Sequence, residues 1–140
     1  MGRKRPAEMI AVDTSALLAI VFNEPERAIF LDTITQAESA LVSAVSVLEA
    51  RMVTYSRRGE AGLHILDSIL DVATFEFVSP VQEEIDIAHQ AFVTYGKGTG
   101  HPAGLNFGDL FSYALAKARG VPLLYKGGNL ARTDIAAAVA

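Results

Sequence analysis

Three carboxylates in this chain lack an evident cationic partner close by in sequence. Asp13 directly follows the apolar run "MIAV". It therefore stands where a buried strand ends, and a carboxylate there is costly unless partnered. Glu49 lies in "VSVLEARMVTYSRR", where Val45, Leu48, Met52 and Val53 mark an apolar helical stripe. Glu49 falls inside that stripe and is expected to face inward. Its neighbours three and four positions away, Val45, Ser46, Met52 and Val53, include no lysine or arginine. Asp109 sits in the first turn of "GLNFGDLFSYALAKARG", residues 104–120, a helix apolar on nearly every side.

Each carboxylate also has an ordinary structural explanation. Asp13 can cap the following helix, although "DTS" offers three capping residues for one position. Glu49 can reach solvent at a helix edge or pair with an arginine of another element. Asp109 can close a capping box with Asn106, where Glu or Gln is the more usual third residue. Taken together, three carboxylates on three elements point to different chemistry. If the fold brings them together without cationic partners, they persist only around a hard divalent ion.

The elements that must position them follow from periodicity and punctuation. Strands are expected at 9–13, 40–44, 75–80 and 121–126, separated by helical segments. Those segments are "TSALLAIVF", "EPERAIFLDTITQAE" with Pro25 in its first turn, "VSVLEARMVTYSRRG" stopped by Gly59, "EAGLHILDSILDVA", "VQEEIDIAHQAFVTY" and the 104–120 helix ended by Gly120. Strands alternating with helices predict an α/β fold, a parallel sheet covered on both faces. Ligand sites in such folds lie beyond the carboxyl ends of the strands, where Asp13 stands.

Composition narrows the function classes. At 140 residues and 51% hydrophobic, the chain is one domain with a sizeable core. It has no cysteine, which removes thiolate zinc sites and cysteine nucleophiles and fits a reducing, cytoplasmic setting. "SALLAIVF" is too short to span a membrane, and "NEPE" after it does not resemble a cleavage site. The net charge is −4; setting aside Arg3, Lys4, Arg5 and Glu8 leaves nine basic against fifteen acidic residues. Such a balance excludes a general nucleic-acid coat but not an enzyme whose bound cations meet phosphate locally. Residues 1–8 read as an extension and 9–140 as the domain.

Other signals are weaker. "GTGHPA" at 98–103 follows a helix instead of a strand and contains Pro102, so the dinucleotide context fails. His64, His89 and His101 are dispersed, and Ser112 has no evident base.

With these residues in hand, the chain resembles the PIN-domain endoribonucleases of the VapC toxin type. The likeness runs through "IAVDTSALLAI", "SAVSVLEA", "YGKGTGHPAGLNFGDLFSYALAK" and "PLLYKGGNLARTDI", roughly Met9 to Ile135. It implies a PIN-like three-layer α/β/α sandwich with a mostly parallel sheet of four to five strands. It also implies that Asp13, Glu49 and Asp109 hold Mg2+ or Mn2+ for cleavage of RNA by water. A homodimer and a VapB-like antitoxin, with which the chain could form a hetero-oligomer, are the implied protein partners. One departure stands in the tail: Asn129 occupies a segment where close relatives usually carry an acid. Asparagine offers an oxygen without the charge. Asp134 is an alternative fourth ligand, although the resemblance places "RTDI" in a structural tail. A catalytically weakened PIN-fold module that binds antitoxin or RNA is the alternative reading. A phosphotransferase using Asp13 as nucleophile ranks last, because Ser15 replaces the second aspartate such enzymes carry.

Overall fold

A computed structural model describes residues 8–139. Four parallel strands, β1 (Met9–Val12), β2 (Ser39–Ser43), β3 (Phe75–Val78) and β4 (Leu123–Leu124), pair in the order β3-β2-β1-β4. Five helices connect them: α1 (Thr14–Val21), α2 (Arg27–Gln36), α3 (Ala44–Leu70), α4 (Gln82–Tyr95) and α5 (Phe107–Arg119). A short 3-10 turn, Leu130–Arg132, follows β4. The chain is thus a three-layer α/β/α sandwich.

Alternation along the strands builds the two outer layers. Ile10, Val12, Ala40 and Val42 face one side and pack with Leu17, Ile20, Ile34 and Leu66 of α1, α2 and α3. Ala11 and Leu41 face the other side and meet Leu110, Tyr113 and Leu115 of α5 together with Ala88 and Ala91 of α4. Both faces are covered, so the strands read as continuous apolar runs instead of alternating ones. The strand order turns back at β1, and the crevice above β1 and β4 is where such sheets hold their ligands.

Several boundaries differ from expectation for identifiable reasons. The strand expected at 121–126 pairs only through Leu123–Leu124. Pro122 has no N–H, so it contributes only its carbonyl, which accepts from Ala11 N–H at 2.9 Å. On the outer edge Leu123 N–H donates to Ala136 at 2.8 Å, and a single parallel bridge joins Leu123 to Ala137. That bridge lies beside β4, at the edge of a sheet of four strands, within the four to five expected. Pro25 precedes α2 instead of entering it, in a turn closed by Arg27 N–H on Glu24 at 2.9 Å. Gly59 interrupts the helical backbone where a stop is expected: at φ 59° and ψ −150° it is non-helical, and two helical runs meet across a kink there within Ala44–Leu70. Only glycine occupies that backbone region without penalty. The expected N-terminal extension lies outside the described residues apart from Glu8, whose carbonyl accepts from Glu38 N–H at 3.0 Å.

Candidate functional site

Asp13 ends β1 and caps α1 with an extended backbone, φ −84° and ψ 157°. One carboxylate oxygen, Oδ2, accepts from Ser15 N–H at 3.0 Å and from the Ser15 hydroxyl at 2.6 Å. The same hydroxyl accepts from Lys126 N–H at 2.9 Å, just after β4. Ser15 therefore ties the ends of two neighbouring strands to one face of Asp13. Thr14 donates to the Ser46 carbonyl at 3.2 Å and ties α1 to α3. The three polar residues of "DTS" thus have three separate roles, of which capping is one.

Glu49 arrives on the second turn of α3, whose N-cap Ser43 accepts from Val45 N–H. The expected inward stripe is overturned. Leu48 and Met52 are 58% and 61% exposed, whereas Ser46, Ala50 and Thr54 are buried. The reason is close packing: α3 meets α1 through small side chains, and the Thr14–Ser46 hydrogen bond requires a short approach that leucine and methionine would block. Glu49 is half-buried on the flank of α3 instead of in its core face. Its carboxylate rests against the first turn of α5, where a Cβ at Gly108 would stand 2.5 Å from Oε2. Gly108 leaves the room that Glu49 fills. Sequence reasoning passed over this residue, although a glycine in the first turn of an otherwise strong helix is a signal that something approaches closely.

Asp109 closes the capping box. Its Oδ2 accepts from Asn106 N–H at 3.0 Å, and its own N–H donates to Asn106 Oδ1 at 2.9 Å. The ordinary explanation therefore holds, and a second property accompanies it. Burial pushes the Asp109 carboxyl up to about 6, and the charges of Asp13 and Glu49 push in the same direction. The Asn106 N–H and the Asn129 side chain act against the rise. Three carboxylates from β1, α3 and α5 thus share one electrostatic site, with Asn129 beside Asp109. Among the described residues no Lys, Arg or His forms an ion pair with any of the three. No group of three or more Asp, Glu, His or Cys side chains among the described residues is placed to hold a metal ion.

Asp134 lies elsewhere. It accepts from the Tyr113 hydroxyl at 2.5 Å and from Lys117 at 2.6 Å, and those two donors hold its carboxyl below the usual range. His101 accepts from Ala103 N–H at 3.0 Å and stacks edge-on with Tyr95, so it orders a loop. Ser112 is buried against Ser46 at 3.2 Å with no base beside it.

The donor set fits a hard cation. It consists of carboxylate oxygens, with negative charge in excess, a glycine cradle beside one donor and ordered hydrogen bonds behind two others.

Comparisons with known proteins agree with this architecture. The PIN domain family model matches residues 10–136. Ribonuclease VapC30 of Mycobacterium tuberculosis is 43% identical over 127 residues, 91% of this chain and 96% of that protein. Ribonuclease VapC of Mycolicibacterium smegmatis is 43% identical over 128 residues, 91% of this chain and 98% of the relative. Among solved structures, VapC20 of Mycobacterium tuberculosis, a sarcin–ricin loop cleaving toxin, superposes with a TM-score of 0.70 at 16% identity. The match covers 90% of this chain and 95% of that one. The VapBC2 complex of Rickettsia felis on a promoter DNA fragment gives a TM-score of 0.72 at 12% identity, covering 92% of this chain and 96% of the matched chain.

Proposed function

The chain belongs to the PIN-domain family, in its VapC branch, and from that membership we propose that it is a metal-dependent endoribonuclease, the toxin of a VapBC-type pair. One observation carries the reading: the Glu49 carboxylate lies against the first turn of α5, which bears Asp109, the charges of Asp13 and Glu49 reach Asp109, and no side-chain cation among the described residues offsets the three. Mg2+ or Mn2+ is the complement of such a site. A bound divalent ion supplies positive charge that lowers the pKa of a water and stabilises charge on a scissile phosphate.

The chain's own residues prepare the site. Ser15 occupies one oxygen of Asp13 and leaves the other available. Asn106 fixes the Asp109 carboxyl on the first turn of α5. Gly108 lets Glu49 lie close to that turn. Asn129 contributes a neutral group at the place where a further carboxylate would add charge. The chain has no cysteine and Ser112 is buried, and the proposed reaction uses water as the nucleophile, for which no covalent intermediate is required.

The likeness to VapBC complexes supports a VapB-like antitoxin as partner, and the same proposal includes a homodimer or a hetero-oligomer with that antitoxin and a cytoplasmic setting. Among the described residues no helix is long and apolar enough to cross a membrane.

The decisive experiment incubates the full chain with RNA in Mn2+ or in EDTA and maps the new ends. Cleavage is expected in Mn2+, with loss in EDTA and in Asp109→Asn. Equal cleavage in EDTA, or full activity of Asp109→Asn, would overturn the reading. Asn129 favours one alternative, a catalytically weakened binding module. Metal-dependent RNA binding without new ends would select it.

A further inference from the structure

The chain after β4 is held at two points. Lys126 N–H donates to the Ser15 hydroxyl at 2.9 Å, and that hydroxyl donates to Asp13, so the tail leaves the sheet at the carboxylate site. Farther on, Asp134 is gripped at both oxygens, by the Tyr113 hydroxyl on Oδ1 at 2.5 Å and by Lys117 on Oδ2 at 2.6 Å. Between these points the tail is stiff. Leu130 is buried with Leu110 and Tyr113 of α5, Arg132 N–H donates to the Asn129 carbonyl at 3.2 Å, and the Thr133 hydroxyl donates to the Leu130 carbonyl at 2.7 Å. Asp109, Tyr113 and Lys117 follow one another at four-residue intervals on α5 and share one of its faces. The tail lies along that face, with Asn129 beside Asp109 and Asp134 beside the other two.

Stability alone does not call for this grip. The Lys117 and Asp134 side chains are both close to half-exposed, and such a pair contributes little. The buried Tyr113 hydroxyl needs an acceptor, but one of any kind serves. Two donors from successive turns on one carboxylate do more: they fix where it sits and how it is turned. Asn129 is what that placement reaches. Its side chain favours the charged form of Asp109, as an amide does by turning an N–H toward a carboxylate. An ionised acid at this position has no such proton to offer. We propose that Tyr113 and Lys117 are positioning residues for the carboxylate site: by clamping Asp134 they set where the tail lies along α5, and so hold the Asn129 amide against Asp109. The proposal rests on the ribonuclease reading and adds to it the residues that steady one metal-binding carboxylate from behind.

Calorimetric titration of Mn2+ into the full chain reads the clamp through a double-mutant cycle. Tyr113→Phe keeps the ring and removes only the hydroxyl; it should weaken Mn2+ binding about 10-fold, the lower end for a group that orients a ligand. Lys117→Met should weaken it in the same way, and Lys117→Arg should retain it. Asn129→Ala should cost a similar factor, and adding Tyr113→Phe to Asn129→Ala should cost nothing more. A clamp that serves stability alone would lower the melting temperature of Tyr113→Phe and leave Mn2+ affinity as in wild type, which would overturn the proposal. Equal losses from Tyr113→Phe with Asn129 present and absent would overturn it too, because the clamp would then not act through Asn129. In both cases Mn2+ binding that is lost in Asp109→Asn leaves the ribonuclease reading standing. Absence of Mn2+ binding to wild type would overturn the reading and the proposal together.

Discussion

Asp109 is held in its charged form by a capping N–H and disfavoured in it by burial and by Asp13 and Glu49; burial and the two carboxylates win. Its folded value near 6 lies above the usual 3.8, so the folded state binds the proton more tightly than the unfolded state. That contribution is present at low pH and is lost as pH rises from about 4 through 6, costing on the order of 1–3 kcal/mol in metal-free protein. Asp109→Asn should flatten this part of a denaturation profile recorded against pH. An unchanged profile would mean that neither burial nor the neighbouring carboxylates raise Asp109. Metal competes with the same proton, so Mn2+ affinity should weaken below about pH 6. At Asn129 the sign differs: Asn129→Asp should lower the metal-free melting temperature through like-charge repulsion and tighten Mn2+ binding. Calorimetric titration that finds Mn2+ affinity unaltered would place the tail farther from the cation than Asp109 is.

Two glycines separate stability from function at the level of elements. Gly108 lies inside α5, where alanine is the better helix former by about 1 kcal/mol. The Cβ it would add meets the far end of Glu49, a group able to swing away. Gly108→Ala is therefore expected to keep or raise thermal stability while weakening Mn2+ binding severalfold. Loss of stability with metal affinity intact would show that Glu49 does not need the space. At Gly59, where α3 bends, an added methyl group would meet no atom within 4 Å, yet the backbone sits at φ 59° and ψ −150°. Gly59→Ala should cost roughly 1–3 kcal/mol through backbone strain alone. A melting temperature equal to wild type would mean that α3 can straighten.

At the scale of the whole molecule, an acidic protein is asked to hold a polyanion. The basic side chains are partly committed: Arg51 pairs with Asp67, Lys117 with Asp134, and Lys126 with Glu24 and Glu26. Arg57 and Arg58 both lie over the Phe22 ring, at 5.1 and 5.4 Å. RNA binding should accordingly be weak in EDTA and appear with Mn2+, because the cation supplies charge that the surface lacks. Filter binding that is equally tight without divalent metal would refute this.

By itself the sequence determined the layered architecture, because apolar runs of strand length separated by helical periods have one economical arrangement, with both sheet faces covered. It also marked Asp13 and Asp109, since a strand end and a capped first turn are local features readable from their neighbours. Tertiary structure decided what depends on approach between elements distant in sequence. The inward face of α3 went to Ser46, Ala50 and Thr54 instead of Leu48 and Met52, because fit against α1 outweighed hydrophobicity. Ser15 gained its role from Lys126, 111 residues away, and Gly108 from Glu49, 59 residues away. Periodicity reports which residues share a helix face; only packing sets how near the next element comes, and the position of the carboxylates depends on that distance.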